Sequence, residues 1–143
     1  MYWEKEIETI DRPSLEALQL KRLKSTLKLA RKSVHYKRVL KDADIDIEKI
    51  KSLEDVVRLP LTVKDDLREQ WPYGFLAVSK DKLVRMHSSS GTTGRATVIF
   101  HTQKDLNAWT NLVARSIYMA GVRKSDVFQN MMTYGMFTGG LGL

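Results

Sequence analysis

The stretch His87-Ser88-Ser89-Ser90-Gly91-Thr92-Thr93-Gly94-Arg95-Ala96-Thr97 decides how the rest of this sequence is interpreted. It lies between residues 82–86 and 97–101, two segments in which alternating, β-branched or aromatic side chains predict β-strands. The expected structure is a β-hairpin whose turn consists of hydroxyl-bearing residues and two glycines. Because glycine has no Cβ, it lets a ligand approach the backbone closely.

Such a turn is suited to a polyphosphate. Successive free backbone N–H groups form a concavity that binds anions, and hydroxyl groups add neutral donors. Arg95 adds a positive fork that matches phosphate oxygens. The candidate phosphate-binding residues are Ser89, Ser90, Gly91, Thr92, Thr93, Gly94 and Arg95. A flexible turn without a ligand is the alternative that these residue types leave open.

Two common phosphate-binding motifs are excluded here. The Walker pattern requires Gly-Lys after four intervening residues, but the corresponding positions after Gly91 hold Ala96-Thr97. The dinucleotide pattern G-x-G-x-x-G is also absent from this stretch.

Four segments resemble one enzyme family. Residues 89–94 resemble the phosphate loop of the adenylate-forming superfamily, and a basic residue at 95 followed by Thr97 is similar to its phenylacetate–CoA ligase branch. Residues 1–9, 59–74 and 134–142 resemble that branch in the same order and spacing. Arg95 stands where lysine is often expected, and Ala96 replaces proline.

The resemblance implies a two-step arylacetate–CoA ligase. The acid attacks the α-phosphorus of ATP to give an acyl-adenylate, and coenzyme A then displaces AMP; Mg²⁺ bridging the phosphates is expected. Residues 89–95 would hold the leaving pyrophosphate. The residues implied for the aromatic acid pocket are Tyr134, Phe137, Gly139 and Gly140; ordinary core packing is the alternative for the two aromatic residues.

The resemblance also implies that the family's magnesium-binding acid, ribose-binding aspartate and catalytic lysine lie beyond residue 143. No catalytic residue is therefore assigned within this chain, and we expect the chain alone to be inactive. The sequence is interpreted as the N-terminal portion of a longer ligase, whose unpaired apolar faces favour a homodimer or segment exchange.

Cysteine is absent and the three histidines, His35, His87 and His101, do not form a metal-binding pattern, so no metal site is predicted. Hydrogen-bonded structural roles are expected for these histidines. No secretory signal or membrane-spanning apolar run is visible, so a cytoplasmic protein without a membrane partner is expected.

The net charge of +7 raises nucleic acid as a partner, because basic residues are concentrated in residues 21–41. They lie mostly off an apolar helical stripe and carry no interleaved aromatic residues, so a solvated basic face is favoured. A basic nucleic-acid-binding or dimerisation module without catalysis remains the alternative function.

The fold class predicted is α/β, with a helical region at 1–74 and the start of the AMP-binding α/β domain at 75–143. A helix is capped by Asp11 and carries an apolar stripe from Leu20 to Val34. Residues 42–58 are expected to contain a turn and a short helix. Thr62 and Asp65 predict the start of another helix, which reaches about Gln70.

The predicted α/β part begins with a strand region at 75–78 and continues through the hairpin. Thr102 and Asp105 predict the start of a helix that ends at about Ala120, with Gly121 after it. Residues 126–132 are predicted to form a buried strand. This order predicts the first βαβ unit of a parallel sheet.

Overall fold

The computed structural model of this chain describes residues 1–89, 96–136 and 138–142. They contain one sheet and a series of helices in two compact units, Ile10–Lys80 and Met1–Thr9 with Asp81–Leu143. The predicted division into a helical region at 1–74 and the start of an α/β domain at 75–143 stays a prediction. The elements are helices α1 (Lys5–Glu8), α2 (Arg12–Ala30), α3 (Val34–Asp42) and α4 (Lys64–Glu69), strands β1 (Leu83–Ser88) and β2 (Val98–Thr102), and helices α5 (Gln103–Met119) and α6 (Thr138–Leu141).

The unit Ile10–Lys80 is helical, as predicted. Asp11 caps α2 by accepting a hydrogen bond of 3.0 Å from the backbone N–H of Ser14. The predicted stripe is wrong at its end, because α2 stops at Ala30 and Val34 is 70% exposed. Ser33 causes the break by capping α3 through a 3.2 Å hydrogen bond from the N–H of Tyr36.

A small apolar core joins these helices. It consists of Leu27, Leu40, Ile47 and Ile50. The short helix predicted within 42–58 is present as two 3₁₀ helices, Ile47–Lys49 and Glu54–Arg58. The first of them contributes Ile47 to the core, which is why this acidic and aliphatic segment folds back onto α2 and α3.

The predicted cap of α4 is displaced by one residue. Asp66, not Asp65, accepts a 2.8 Å hydrogen bond from the N–H of Val63, which precedes the helix. The hydroxyl of Thr62 instead lies 2.7 Å from that of Tyr36. Because Asp65 and Asp66 are adjacent, spacing alone did not show which carboxylate would accept this bond.

The second unit contains the predicted hairpin. Strands β1 and β2 pair antiparallel, with Met86 opposite Phe100 and Ser88 opposite Val98. The predicted capping box is confirmed, because Asp105 accepts a 2.7 Å hydrogen bond from the N–H of Thr102 at the start of α5.

The predicted end of α5 is also confirmed. Gly121 adopts a φ of 108°. Its N–H donates to Tyr118 and that of Val122 donates to Ile117, both at 3.1 Å. These bonds satisfy the last carbonyls of the helix in the pattern that glycine at this position permits.

The predicted βαβ unit is wrong for the described residues. Residues 75–78 form a turn and irregular backbone, and residues 126–132 form no strand. Val127 is 99% exposed and Met131 is 87% exposed, so this segment is not buried. A strand requires a neighbour for its ladder, and within the described ranges the only sheet is the two-stranded hairpin.

The N-terminal segment packs on α5. The indole N–H of Trp3 donates to the side-chain oxygen of Asn111 at 2.7 Å, and the Asn111 amide donates to Glu4 at 2.8 Å. Arg115 pairs with the same Glu4 carboxylate. The Trp3 and Tyr118 rings lie with centroids 5.6 Å apart. Polar and aromatic contacts thus join the start of the sequence to the helix that follows the hairpin.

Candidate functional site

The base of the hairpin turn is closed by Ser89 and Thr97. The backbone N–H of Ser89 donates to the carbonyl of Thr97 at 2.9 Å, and the N–H of Thr97 donates to the Ser89 hydroxyl oxygen at 3.0 Å. The hydroxyl oxygen of Ser89 is thereby used as an acceptor, while its O–H remains a possible donor to a ligand. The turn therefore begins and ends at positions fixed by the two strands.

The other candidate phosphate residues, Ser90, Gly91, Thr92, Thr93, Gly94 and Arg95, lie outside the described residues, as does Phe137. Their assignment stays a prediction from the sequence. Tyr134, Gly139 and Gly140 are described, and Tyr134 is 65% exposed.

A backbone hydrogen bond joins the end of β1 to residues 134–142. The backbone N–H of Ser88, the last residue of β1, donates to the carbonyl of Met136 at 2.8 Å. Ser88 immediately precedes the candidate phosphate segment, residues 89–95, and Met136 lies within residues 134–142. The sequence order alone gave no indication of this contact, because more than forty residues separate its partners.

Three side chains hold the last turn of this region, and the sequence analysis missed their role. Asn130 donates to the carbonyl of Gly140 at 2.9 Å, Arg85 to that of Leu141 at 3.2 Å, and Trp109 to that of Gly142 at 3.0 Å. Carbonyls at the end of a helix lack partners within it, so α6 needs such donors. Trp109 lies on α5, and its indole N–H, which needs an acceptor when buried, was the available signal.

Gly140 is buried in this turn, and its surroundings explain the lack of a side chain. A Cβ there would lie 2.5 Å from the backbone oxygen of Thr133. We expect Gly140→Ala to destabilise the chain by about 1–3 kcal/mol, because backbone must move to relieve the overlap. Urea unfolding measures the change. Gly135→Ala is the control, since nothing lies within 4 Å of its Cβ position; equal stability of both variants would contradict the tight fit.

His87 lies in an aromatic cluster directly before the phosphate segment. Its side chain is 2% exposed, and its ring centroid is 5.1 Å from that of His101 and 5.2 Å from that of Trp109. The prediction that it is hydrogen-bonded is wrong for the described part of the chain, where neither ring nitrogen has a partner. Burial lowers the pKa of His87 below its ordinary value of 6.5, and the nearby His101 and Arg85 lower it further.

This pKa has a defined consequence for stability. The folded chain binds fewer protons at His87 than the unfolded chain does. The contribution of neutral His87 to the free energy of unfolding is therefore fully present above about pH 6.5, and it is lost as the pH falls toward the lower folded-state pKa. We expect His87→Leu to lessen the loss of unfolding free energy in this acidic range. Denaturant unfolding at a series of pH values measures it, with Gly135→Ala as the control; an unchanged acid dependence in His87→Leu would contradict this role.

The described residues contain no group of three or more histidine, aspartate or glutamate side chains arranged to hold a metal ion. Among the helices of that same part of the chain, none combines the length and apolar character needed to cross a bilayer. The carboxylate of Asp105, which follows β2, is used to cap α5.

Comparison with known proteins identifies relatives of the whole chain. No family model matches the sequence. The chain is 43% identical to the phenylacetate-coenzyme A ligase of Thermus thermophilus over 100% of its own length and 32% of that protein. The chain is a homologue of the phenylacetate-coenzyme A ligases. It is also 44% identical to the phenylacetate-coenzyme A ligase of Escherichia coli, over 95% of the chain and 31% of that protein.

Solved CoA ligases share the fold. A structure of 2-hydroxyisobutyryl-CoA ligase in complex with 2-HIB-AMP and CoA matches with a TM-score of 0.90 and 30% identity, over 99% of this chain and 31% of that one. The chain thus spans about a third of the length of these relatives. The predicted resemblance is confirmed, and so is the mixed helix and sheet fold of an adenylate-forming CoA ligase.

Proposed function

We propose that this chain supplies the ATP-phosphate-binding hairpin of an AMP-forming phenylacetate–CoA ligase. The observation that carries the proposal is the closed base of the hairpin, where Ser89 and Thr97 exchange two hydrogen bonds around the loop motif. The homology to phenylacetate-coenzyme A ligases over the whole chain supports the same activity. The overall reaction converts an aryl acid, ATP and coenzyme A into acyl-CoA, AMP and pyrophosphate.

The phosphate segment acts on the leaving group. Backbone N–H groups of residues 91–94 and the nearby hydroxyls donate to the β- and γ-phosphates, and Arg95 balances the charge that builds as the bond to the α-phosphorus breaks. Because Ser89 and Thr97 close the base of the turn, the two ends of this segment are held together before the substrate arrives. The phosphate segment therefore contributes by positioning and balancing charge, and it forms no covalent intermediate.

We propose that residues 134–142 form one wall of the aromatic acid pocket. The Ser88–Met136 hydrogen bond supports this, because it joins that segment to the hairpin. Tyr134 and Phe137 supply ring surface, and Gly139 keeps the wall open to the backbone. Gly140 lets the turn that carries them pack against Thr133. The exposure of Tyr134 in the described chain leaves its ring accessible to a ligand.

Mg²⁺ does not fit the residues present. No carboxylate cluster occurs in the described ranges, so no step is assigned to the metal and no residue of this chain is proposed to hold it. The proposed activity is that of a protein as long as the relatives, which acts in the cytoplasm. The 143-residue chain alone is proposed to be inactive.

Pyrophosphate exchange into ATP, driven by phenylacetate, tests the function. We expect exchange in a protein extended to the length of the relatives and none in the chain alone. Exchange that does not depend on an aryl acid would contradict the proposal, as would its absence from the extended protein when that protein is folded. Aliphatic acids of similar size serve as the comparison for substrate class.

We also propose a homodimer. Apolar side chains are exposed in the second unit, including Met119 at 83%, Val127 at 99% and Met131 at 87%. Exposed apolar surface favours association. Light scattering after size exclusion is expected to give twice the chain mass; a monomer over a wide concentration range would contradict it.

A further inference from the structure

The helical unit contains a basic groove that the proposed reaction does not use. It has a volume of about 430 Å³ and is lined by Arg31, Lys32, Lys37 and Lys41, with Asp46 as its acidic residue. These side chains come from the turn after α2, from α3 and from the loop that precedes the first 3₁₀ helix. Two separate pieces of chain, the turn after α2 and α3, therefore place cations around one concavity.

The charges in this groove are not balanced by the chain. Residues 31–41 include five basic residues and no acidic one. In the described ranges, none of the four cationic side chains that line the groove forms an ion pair, whereas Lys28 of α2 pairs with Glu48 at 2.7 Å. Lys37 and Lys41 are also four residues apart on α3, where like charges repel. An anion in the groove would relieve this repulsion.

The shape of the groove favours a compact anion. An extended polynucleotide is best bound by cations spaced along a track and by aromatic side chains on which bases stack. Here the cations converge on a single concavity, and its lining has no aromatic residue. Leu40 and Ile47, which are 5% and 3% exposed, form a rigid apolar floor beneath them.

We propose that this groove binds a small ligand that carries two or more phosphate groups, at a site separate from residues 89–95. Lysine and arginine form strong charge-assisted hydrogen bonds with phosphate oxygens, and several cations around one concavity match several phosphates close together. Two sources share this chemistry, ATP and coenzyme A. Only this choice of sources rests on the proposed function; the groove and its charge do not.

The test uses titration calorimetry on the 143-residue chain carrying Arg95→Ala, which weakens binding at the phosphate segment. The probes are tripolyphosphate, ATP, coenzyme A, dephospho-coenzyme A and a single-stranded oligonucleotide. We expect Lys37→Ala/Lys41→Ala to weaken tripolyphosphate binding by about tenfold, since two charge-assisted contacts are removed. The matched control is Lys21→Ala/Arg22→Ala, which removes the same charge from exposed residues outside the groove; binding within about twofold of the parent is expected.

The outcomes are distinct. Tighter binding of coenzyme A than of its dephospho form, lost only in the groove variant, supports coenzyme A as the source, and preferential loss of ATP binding supports ATP. Equal losses in the groove and control variants would show unspecific attraction and overturn the proposal. So would no binding of any probe, or binding of an oligonucleotide but not tripolyphosphate. Pyrophosphate exchange is measured separately, so failure here leaves the proposed ligase activity intact.

Discussion

Replacing Arg95 with alanine is expected to slow acyl-adenylate formation on the order of 10²–10³-fold in a protein of the relatives' length, the loss typical when one preorganised donor to developing charge is removed. Thioester formation from a supplied acyl-adenylate should be affected much less, because pyrophosphate has already left before that step. Pyrophosphate exchange measures the first half-reaction, and release of AMP on addition of coenzyme A measures the second.

Two controls sharpen this experiment. Arg95→Lys keeps the charge but loses the planar fork, so it should retain more of the adenylation rate than Arg95→Ala. Lys104→Ala removes a cation from the exposed side of α5 and should leave both half-reactions unchanged. Equal losses in the two half-reactions of Arg95→Ala would contradict a role in holding pyrophosphate.

Replacing Gly91 with valine is expected to abolish detectable ATP binding. The motif requires phosphate oxygens to approach the backbone at this residue, and a branched side chain fills that space and disfavours the turn conformations that glycine permits. Equilibrium binding of a fluorescent ATP analogue measures the loss. Gly91→Ala, with a single methyl group, should fall between the parent and valine.

The fold of the Gly91→Val protein is tested separately. The hairpin is closed by Ser89 and Thr97, outside residues 90–95, so the unfolding free energy should change far less than ATP affinity. Gly135→Ala provides a second glycine replacement, at a position with open space around it. Unchanged nucleotide affinity in Gly91→Val would rule out contact between this loop and ATP.

Local structure was predictable where one side chain determines it. Asp11, Thr102 and Asp105 cap their helices as expected, and Gly121 ends α5, because each satisfies backbone groups only a few residues away. The two strands of the hairpin were predictable because each is the other's partner and one turn joins them. The break at Ser33 was missed, because an apolar period alone cannot show that a serine will start a new helix.

The errors concern partners distant in sequence. Residues 126–132 have the composition of a buried strand, but strand formation depends on a neighbouring strand, and composition does not report whether one is present. The site was predictable as a motif, through its glycines and hydroxyls. Its support by Arg85, Asn130 and Trp109 was not, since each of these contacts depends on the tertiary fold.

The packing of Trp3 and Glu4 on α5 has a consequence for synthesis of the chain. Their partners Asn111 and Arg115 are more than a hundred residues downstream, with the whole helical unit in between. On the ribosome, Trp3 and Glu4 emerge before α5 and must therefore wait for it, and the helical unit can fold before the unit that contains the hairpin is complete. During synthesis, the discontinuous unit is therefore completed after the helical unit.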